Sequence, residues 1–158
     1  MITTIAMDLL RQQPFVQGME ERHIEELGEL AREVRFERDR LIFGEGEESP
    51  EFYLIVSGMV ALEIAPASGV FRVDTLGAGD EFGWSSVMGH GSLFQAHVLE
   101  DLHALAFEAA ELRALCERDN AFGYQLMRRL LGVVAGRLQV TRLHVMDSYW
   151  PVARRAGA

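Results

Sequence analysis

The residues best suited to chemistry lie in one turn, Gly79-Asp80-Glu81-Phe82-Gly83-Trp84-Ser85-Ser86. Its glycines let a backbone approach a ligand closely. Two carboxylates, two aromatic rings and two hydroxyls follow one another within eight positions. Ser85 and Ser86 can donate hydrogen bonds to a ligand or cap a short helix. They lack the Gly-x-Ser-x-Gly setting of an activated serine. Gly77-Ala78-Gly79 is not a dinucleotide fingerprint, because no helix and acidic follower about 20 residues on are in place. The five histidines, at 23, 90, 97, 103 and 144, show no zinc-type spacing, so no metal site is expected. The acidic run Glu45-Gly46-Glu47-Glu48 reads as a solvated loop, and Cys116 as a buried small hydrophobe. These residues suit recognition rather than catalysis, and no enzymatic activity is expected.

The bulk composition bounds the rest. A chain of 158 residues with 49% hydrophobic residues can bury the core of one domain. One cysteine makes no internal disulfide, which fits a reducing compartment. The longest strongly apolar stretch, residues 130–136, is far short of the ~20 residues of a membrane span. The first ten residues lack the pattern of a secretory signal, and a cytoplasmic location is expected. All 15 basic residues are Arg. Residues 1–120 hold 9 Arg against 23 acids; residues 121–158 hold 6 Arg against Asp147 alone. The acidic body would repel nucleic acid. The basic end reads as a solvated helix face.

Three periods divide the single domain, residues 1–158. Residues 1–33 read as a helical N-terminal segment, with Ile24, Leu27, Leu30, Ala31 and Val34 on one face of a helix over 18–34. Phe15 anchors its entry. Residues 34–107 read as short strands. Phe52, Leu54 and Val56 face one way; Tyr53 and Ile55 face the other. Ser57-Gly58 and residues 66–69 read as turns. Phe94, Ala96 and Val98 alternate with Gln95, His97 and Leu99. Closely spaced strands of this kind predict an antiparallel jelly-roll β-barrel, mainly β with flanking helices. Residues 108–147 return to helical spacing: a short helix over 109–118, then a long one capped by Asn120. Residues 148–158 read as a tail, with Trp150-Pro151 ending the helix. A helix over 120–147 is ~42 Å long, more than a small barrel needs for cover. Its stripe of Leu126, Leu130, Val134, Leu138 and Thr141 predicts a homodimer seam.

Four segments carry a family resemblance: Leu41-Ile42-Phe43-Gly44-Glu45-Gly46; Phe52-Tyr53-Leu54-Ile55-Val56-Ser57-Gly58-Met59-Val60; Leu76-Gly77-Ala78-Gly79-Asp80-Glu81-Phe82-Gly83; and Arg137-Leu138-Gln139-Val140-Thr141. In their order they resemble the cyclic nucleotide-binding domain, the sensory barrel of the catabolite activators and of the regulatory subunits of cAMP-dependent kinase. The resemblance implies a barrel flanked by helices, with a long last helix pairing two subunits. It also implies a short helix after Gly83 whose backbone N–H groups cradle a phosphate.

Carried onto this chain, the resemblance gives a ligand site of Phe82, Gly83, Trp84, Ser85, Ser86, Phe94, Gln95 and Ala96. Thr141 and Arg142 of the last helix would approach the base. The chain departs from the family at the two polar anchors. The glutamate that takes the ribose hydroxyl is replaced by Trp84, and the phosphate-pairing arginine by Phe94. Removing the partner of a desolvated charge costs ~2–5 kcal/mol, and ~3 kcal/mol is about a hundredfold in affinity. Arg72 and Arg142 are the candidates to replace the missing guanidinium.

The expected function is a non-enzymatic small-molecule-sensing module with weak or altered cyclic nucleotide binding, signalling to a downstream protein partner. The alternative is a degenerate barrel that binds no ligand and acts as a dimeric interaction module. DNA-binding relatives append a winged helix-turn-helix of ~70 residues. Only residues 148–158 follow Asp147 here, so no direct nucleic-acid contact and no membrane contact is expected. No cofactor is expected beyond a cyclic nucleotide or another small ligand.

Overall fold

The computed structural model describes the backbone of residues 4–156 and side chains up to residue 147. Helix α1 (Thr4–Arg11), a 3-10 turn (Pro14–Val16) and α2 (Glu21–Leu30) precede the sheet. Strands β1 (Arg32–Phe36), β2 (Leu41–Phe43), β3 (Glu51–Ile64), β4 (Phe71–Leu76) and β5 (Glu81–Phe82) follow. Then come α3 (Trp84–Met88), β6 (Gln95–Glu108), α4 (Ala109–Arg118) and α5 (Asn120–Ala156). Pairing runs β1-β6-β3-β4, with β2 added to β6 and β5 to β3. Every pairing is antiparallel.

The expected barrel is therefore seen as an antiparallel six-stranded sheet with flanking helices, and no strand pairing among the described residues closes it into a ring. Two 14-residue strands, β3 and β6, form its spine. The expected turn at Ser57-Gly58 is not a turn. The register shifts repeatedly between Ile55 and Val60, so β3 bends and continues. Gly58 makes this possible. Its φ is +99°, and a Cβ there would lie 2.4 Å from the Asp101 carbonyl oxygen.

Pleating sorts each strand between two cores. Phe52, Leu54, Leu105 and Phe107 meet the helices, with Leu10, Phe15, Leu27, Leu112, Phe122 and Leu126. Tyr53, Ile55, Ala104 and Ala106 face the other way, with Val60, Leu62, Phe82, Ala96 and Val98. For β3 this is the expected alternation; at the start of β6 the expected set of Phe94, Ala96 and Val98 joins the inner core. Phe15 anchors the N-terminal segment by its ring, 5.3 Å from that of Phe52.

The helical segment is shorter than expected. Ala31 is the C-cap of α2, and Val34 belongs to β1, paired with Ala104. Val34 satisfies both a helical and an alternating pattern, and pairing with β6 decides between them. The N-cap of α5 is Asp119 rather than Asn120: its Oδ1 accepts the Phe122 N–H at 3.2 Å. That hydrogen bond is the main reason its carboxyl is held below the usual range. Trp150-Pro151 does not end α5, whose backbone stays helical to Ala156. A proline's fixed φ is itself helical, so the helix passes through Pro151 with one ladder hydrogen bond fewer.

The expected seam also divides. Leu126 and Leu130 are 0% and 5% exposed and belong to the chain's own helix-side core. The helix turns ~100° per residue, which leaves the other three expected seam residues, Val134, Leu138 and Thr141, on an outer stripe with Met127, Leu131 and Val145, in steps of four and three. Leu131 and Leu138 are 68% and 69% exposed, and Thr141 is exposed too. On the buried face, Arg129 pins α5 to the body, donating from Nη1 to the Phe15 carbonyl and from Nη2 to that of Gln17, both at 2.7 Å.

Candidate ligand site

The turn before α3 is built against β3. The Gly79 N–H donates to the Ile55 carbonyl and the Ile55 N–H to that of Asp80, both at 2.9 Å. The Asp80 carboxylate accepts the Gly77 N–H at 2.9 Å. Phe82 then pairs with Tyr53 across β5 and β3 and stacks on its ring at 4.7 Å and 13°. Gly83 starts α3 in a left-handed conformation, φ 83° and ψ 19°. A Cβ there would lie 2.7 Å from the Glu51 carbonyl oxygen. The strand, the ring stack and the glycine together fix where α3 begins.

Ser86 uses its hydroxyl locally, donating to the Gly83 carbonyl at 2.6 Å. Its own carbonyl accepts Arg113 Nη1 at 2.7 Å. The first of these bonds runs back one turn and is not a cap: the N-cap of α3 is Gly83, with no side-chain capping hydrogen bond. Ser85 is buried beside it and lines the inner space.

Trp84 and Phe94 line one space between them. Trp84 packs on the helix-side core and Phe94 on the inner core, each half-buried. The same space is also lined by Phe43, Leu62, Phe82, Leu93 and Arg137. That space holds about 10 Å³, at or below the smallest volume that admits one water. Trp84 and Phe94 are two of the side chains that line this narrow space. A larger cleft, about 270 Å³, lies behind α3 between Pro50, His90 and Arg113.

Other expected ligand residues lie elsewhere. Ala96 is fully buried in the inner core. Gln95, one pleat away, donates to Glu63 Oε1 at 3.0 Å. Arg72 sits 3.6 Å from the other Glu63 oxygen, and His97 Nδ1 lies 3.2 Å from Oε1. Arg72 is engaged in this polar group, none of whose members lines the inner space. Thr141 and Arg142 are exposed; the Thr141 hydroxyl donates back to the Arg137 carbonyl at 3.0 Å. Neither lines the inner space. At these positions α5 has already left the body, so they face solvent.

Arg137 is the cation that does reach the site. Its Nη1 donates to Asp74 Oδ2 at 2.7 Å and its Nη2 to the Glu81 carbonyl at 2.5 Å. Its Nε is buried without a partner. Burial pushes the Glu81 carboxyl up, and Arg137 draws it back down. Sequence reading placed Arg137 in the family motif but gave it no role. The available signal was spacing: it stands four residues after Val133 and seven after Leu130, on the buried face.

An antiparallel sheet, a glycine–acid turn feeding a short helix, and a long last helix carrying an arginine to that turn make up the fold and the candidate site. The family model for the cyclic nucleotide-binding domain matches residues 33–119. The chain belongs to that family. It is 27% identical over 143 residues to a CRP-like cAMP-activated global transcriptional regulator of Mycobacterium tuberculosis, covering 89% of this chain and 62% of that protein. Its fold is similar to a cyclic nucleotide-binding domain from Methylobacillus flagellatus, with TM-score 0.74, 18% identity and coverage of 92% and 81%. It is also similar to the Thermus thermophilus catabolite activator protein, with TM-score 0.70, 24% identity and coverage of 84% and 62%. The chain thus spans less than two thirds of the curated regulator it matches. No described helix is long and apolar enough to cross a membrane.

Proposed function

We propose that this chain is a non-enzymatic regulatory module whose cyclic nucleotide site is closed by its own side chains. The observation that carries the reading is the 10 Å³ inner space, walled by Trp84 and Phe94 where the family resemblance puts a glutamate and an arginine. A cyclic phosphate entering this conformation would displace an aromatic ring and meet only one guanidinium. Conventional affinity for cAMP is lost, and the module works in the cytoplasm through protein contacts. The exposed stripe from Met127 to Val145 supports a homodimer in which two copies of α5 pair, leaving the body free for a downstream partner.

A second reading rests on Arg137. Its buried Nε without a partner, beside Leu93 at 61% exposure, favours an anionic ligand that opens the site by moving the segment around Leu93. Calorimetric titration with cAMP and cGMP separates the two. The first reading expects no heat with the native chain, and binding restored in Trp84→Glu/Phe94→Arg, where both anchors return. Micromolar binding to the native chain would overturn it and establish the second.

A further inference from the structure

Away from the ligand site, α2 meets the junction of α4 and α5. His23 and Glu26 stand three residues apart on α2 and share a face. Asp119, the cap of α5, comes against them from 93 positions further along the chain. One ligand atom from each of the three lies within 4.8 Å of the others.

The second observation is His23 itself. Its side chain belongs to a residue only 2% exposed, and neither ring nitrogen has a hydrogen-bond partner. Phe122 presents its ring edge-on at 5.9 Å, which holds the imidazole without satisfying it. Glu26 Oε2 is buried beside it, also without a partner. Buried polar atoms in folded proteins are nearly always satisfied. Here two side chains from one helix aim such atoms at one point, and a third carboxylate faces them.

We propose that His23, Glu26 and Asp119 hold a divalent transition-metal ion, of which Zn²⁺ is the type. One imidazole nitrogen and two carboxylates suit such an ion: the charges cancel, and imidazole selects against Mg²⁺ and Ca²⁺. Tetrahedral ligation at ~2.0–2.2 Å sets ligand atoms ~3.4 Å apart. From separations within 4.8 Å, ligation would draw the three groups together by up to about 1.4 Å. Arg22, now 3.6 Å from Asp119 Oδ2, is mostly exposed and swings aside. The neighbouring cleft lined by Glu29, Arg118 and Asn120 admits the ion and leaves its fourth position to water. Sequence reading found no zinc spacing because the set is assembled by tertiary contact. The ion would fasten α2 to the root of α5, independently of whether the inner site takes a ligand.

Chelator-treated chain is titrated with Co²⁺, followed by its visible bands, and with Zn²⁺ in a thermal unfolding series. One equivalent of Co²⁺ is expected to give bands, which Zn²⁺ abolishes and Mg²⁺ does not. Zn²⁺ at about a hundredfold over its Kd is expected to raise Tm by about 5–10 °C. Glu26→Gln keeps the side-chain shape, and Asp119→Asn keeps a good N-cap, so both variants fold. Each is expected to weaken Zn²⁺ binding by more than about a hundredfold, since outer partners alone are worth 10–100-fold. The absence of Co²⁺ bands with the native chain would overturn the site. So would a Zn²⁺ shift unchanged in both variants, which would mean adventitious binding at other histidines.

Discussion

Leu130 and Leu138 lie eight residues apart on α5, and the structure gives them opposite consequences. Leu130 is 5% exposed and packed in the helix-side core. Truncating it to alanine removes buried methylenes and leaves a cavity, at a cost of about 2–5 kcal/mol. That loss appears in urea unfolding at any protein concentration. Leu138 is 69% exposed, so alanine there changes the stability of one chain by only about 0.5 kcal/mol or less. If two copies of α5 pair, its exposed side chain is buried on association. Full burial of a leucine is worth about 1.5–3 kcal/mol, so its exposed two thirds contribute about 1–2 kcal/mol. A two-fold interface uses the residue twice. The dimer then loses about 2–4 kcal/mol, or roughly 30- to 1000-fold in Kd. Sedimentation velocity across a concentration series measures this directly. Leu138→Ala is expected to dissociate at concentrations where the native chain is dimeric, with its monomer unfolding unchanged. A Leu138→Ala chain that sediments as the native one at every concentration would refute the seam.

Two further outcomes follow from the site. Arg137→Ala removes the partner of Asp74 and the charge that draws the Glu81 carboxyl down. It should destabilise the chain by about 1–3 kcal/mol. A carboxyl whose folded pKa is raised by burial gives its stability below the unfolded pKa and loses it as pH rises through the folded value. Without Arg137 the Glu81 value climbs further, so the deficit in urea melts should be larger at pH 8 than at pH 5. Gly83→Ala puts a Cβ against the Glu51 carbonyl at a left-handed φ. It should cost about 1–3 kcal/mol and shift α3, seen as a lower Tm and altered Trp84 emission; an unchanged melt would contradict the turn geometry.

How legible this was depended on how local each feature is. The alternation of Phe52, Tyr53, Leu54 and Ile55 is a property of one strand, and it sorted into the two cores as read. Helix α4 emerged at its expected bounds because its period is uninterrupted between Glu108 and Asp119. Trp84 and Phe94 were placed opposite each other by family order, and both line the inner space. What failed was assigning faces on α5. Leu130, Leu131, Val134 and Leu138 all fit one broad apolar stripe. Only the position of the body against the helix tells which of them it covers. The sites of Arg137 and His23 were hidden for the same reason: their partners, Asp74 and Asp119, stand 63 and 96 positions away in the chain.

Arg129 and Arg137 have a mechanical consequence. They stand eight residues, or ~12 Å, apart along α5, and each ties its turn of the helix to the body. Beyond Arg137 the helix runs on for 19 residues, or ~28 Å, as a cantilever clamped at one end. A tilt of about 5° at the outer clamp would carry the far end through ~2.5 Å over that reach. The Asp74 and Glu81 contacts are therefore the fulcrum. Any event that loosens them, however small at the sheet, is magnified at the tip of the arm.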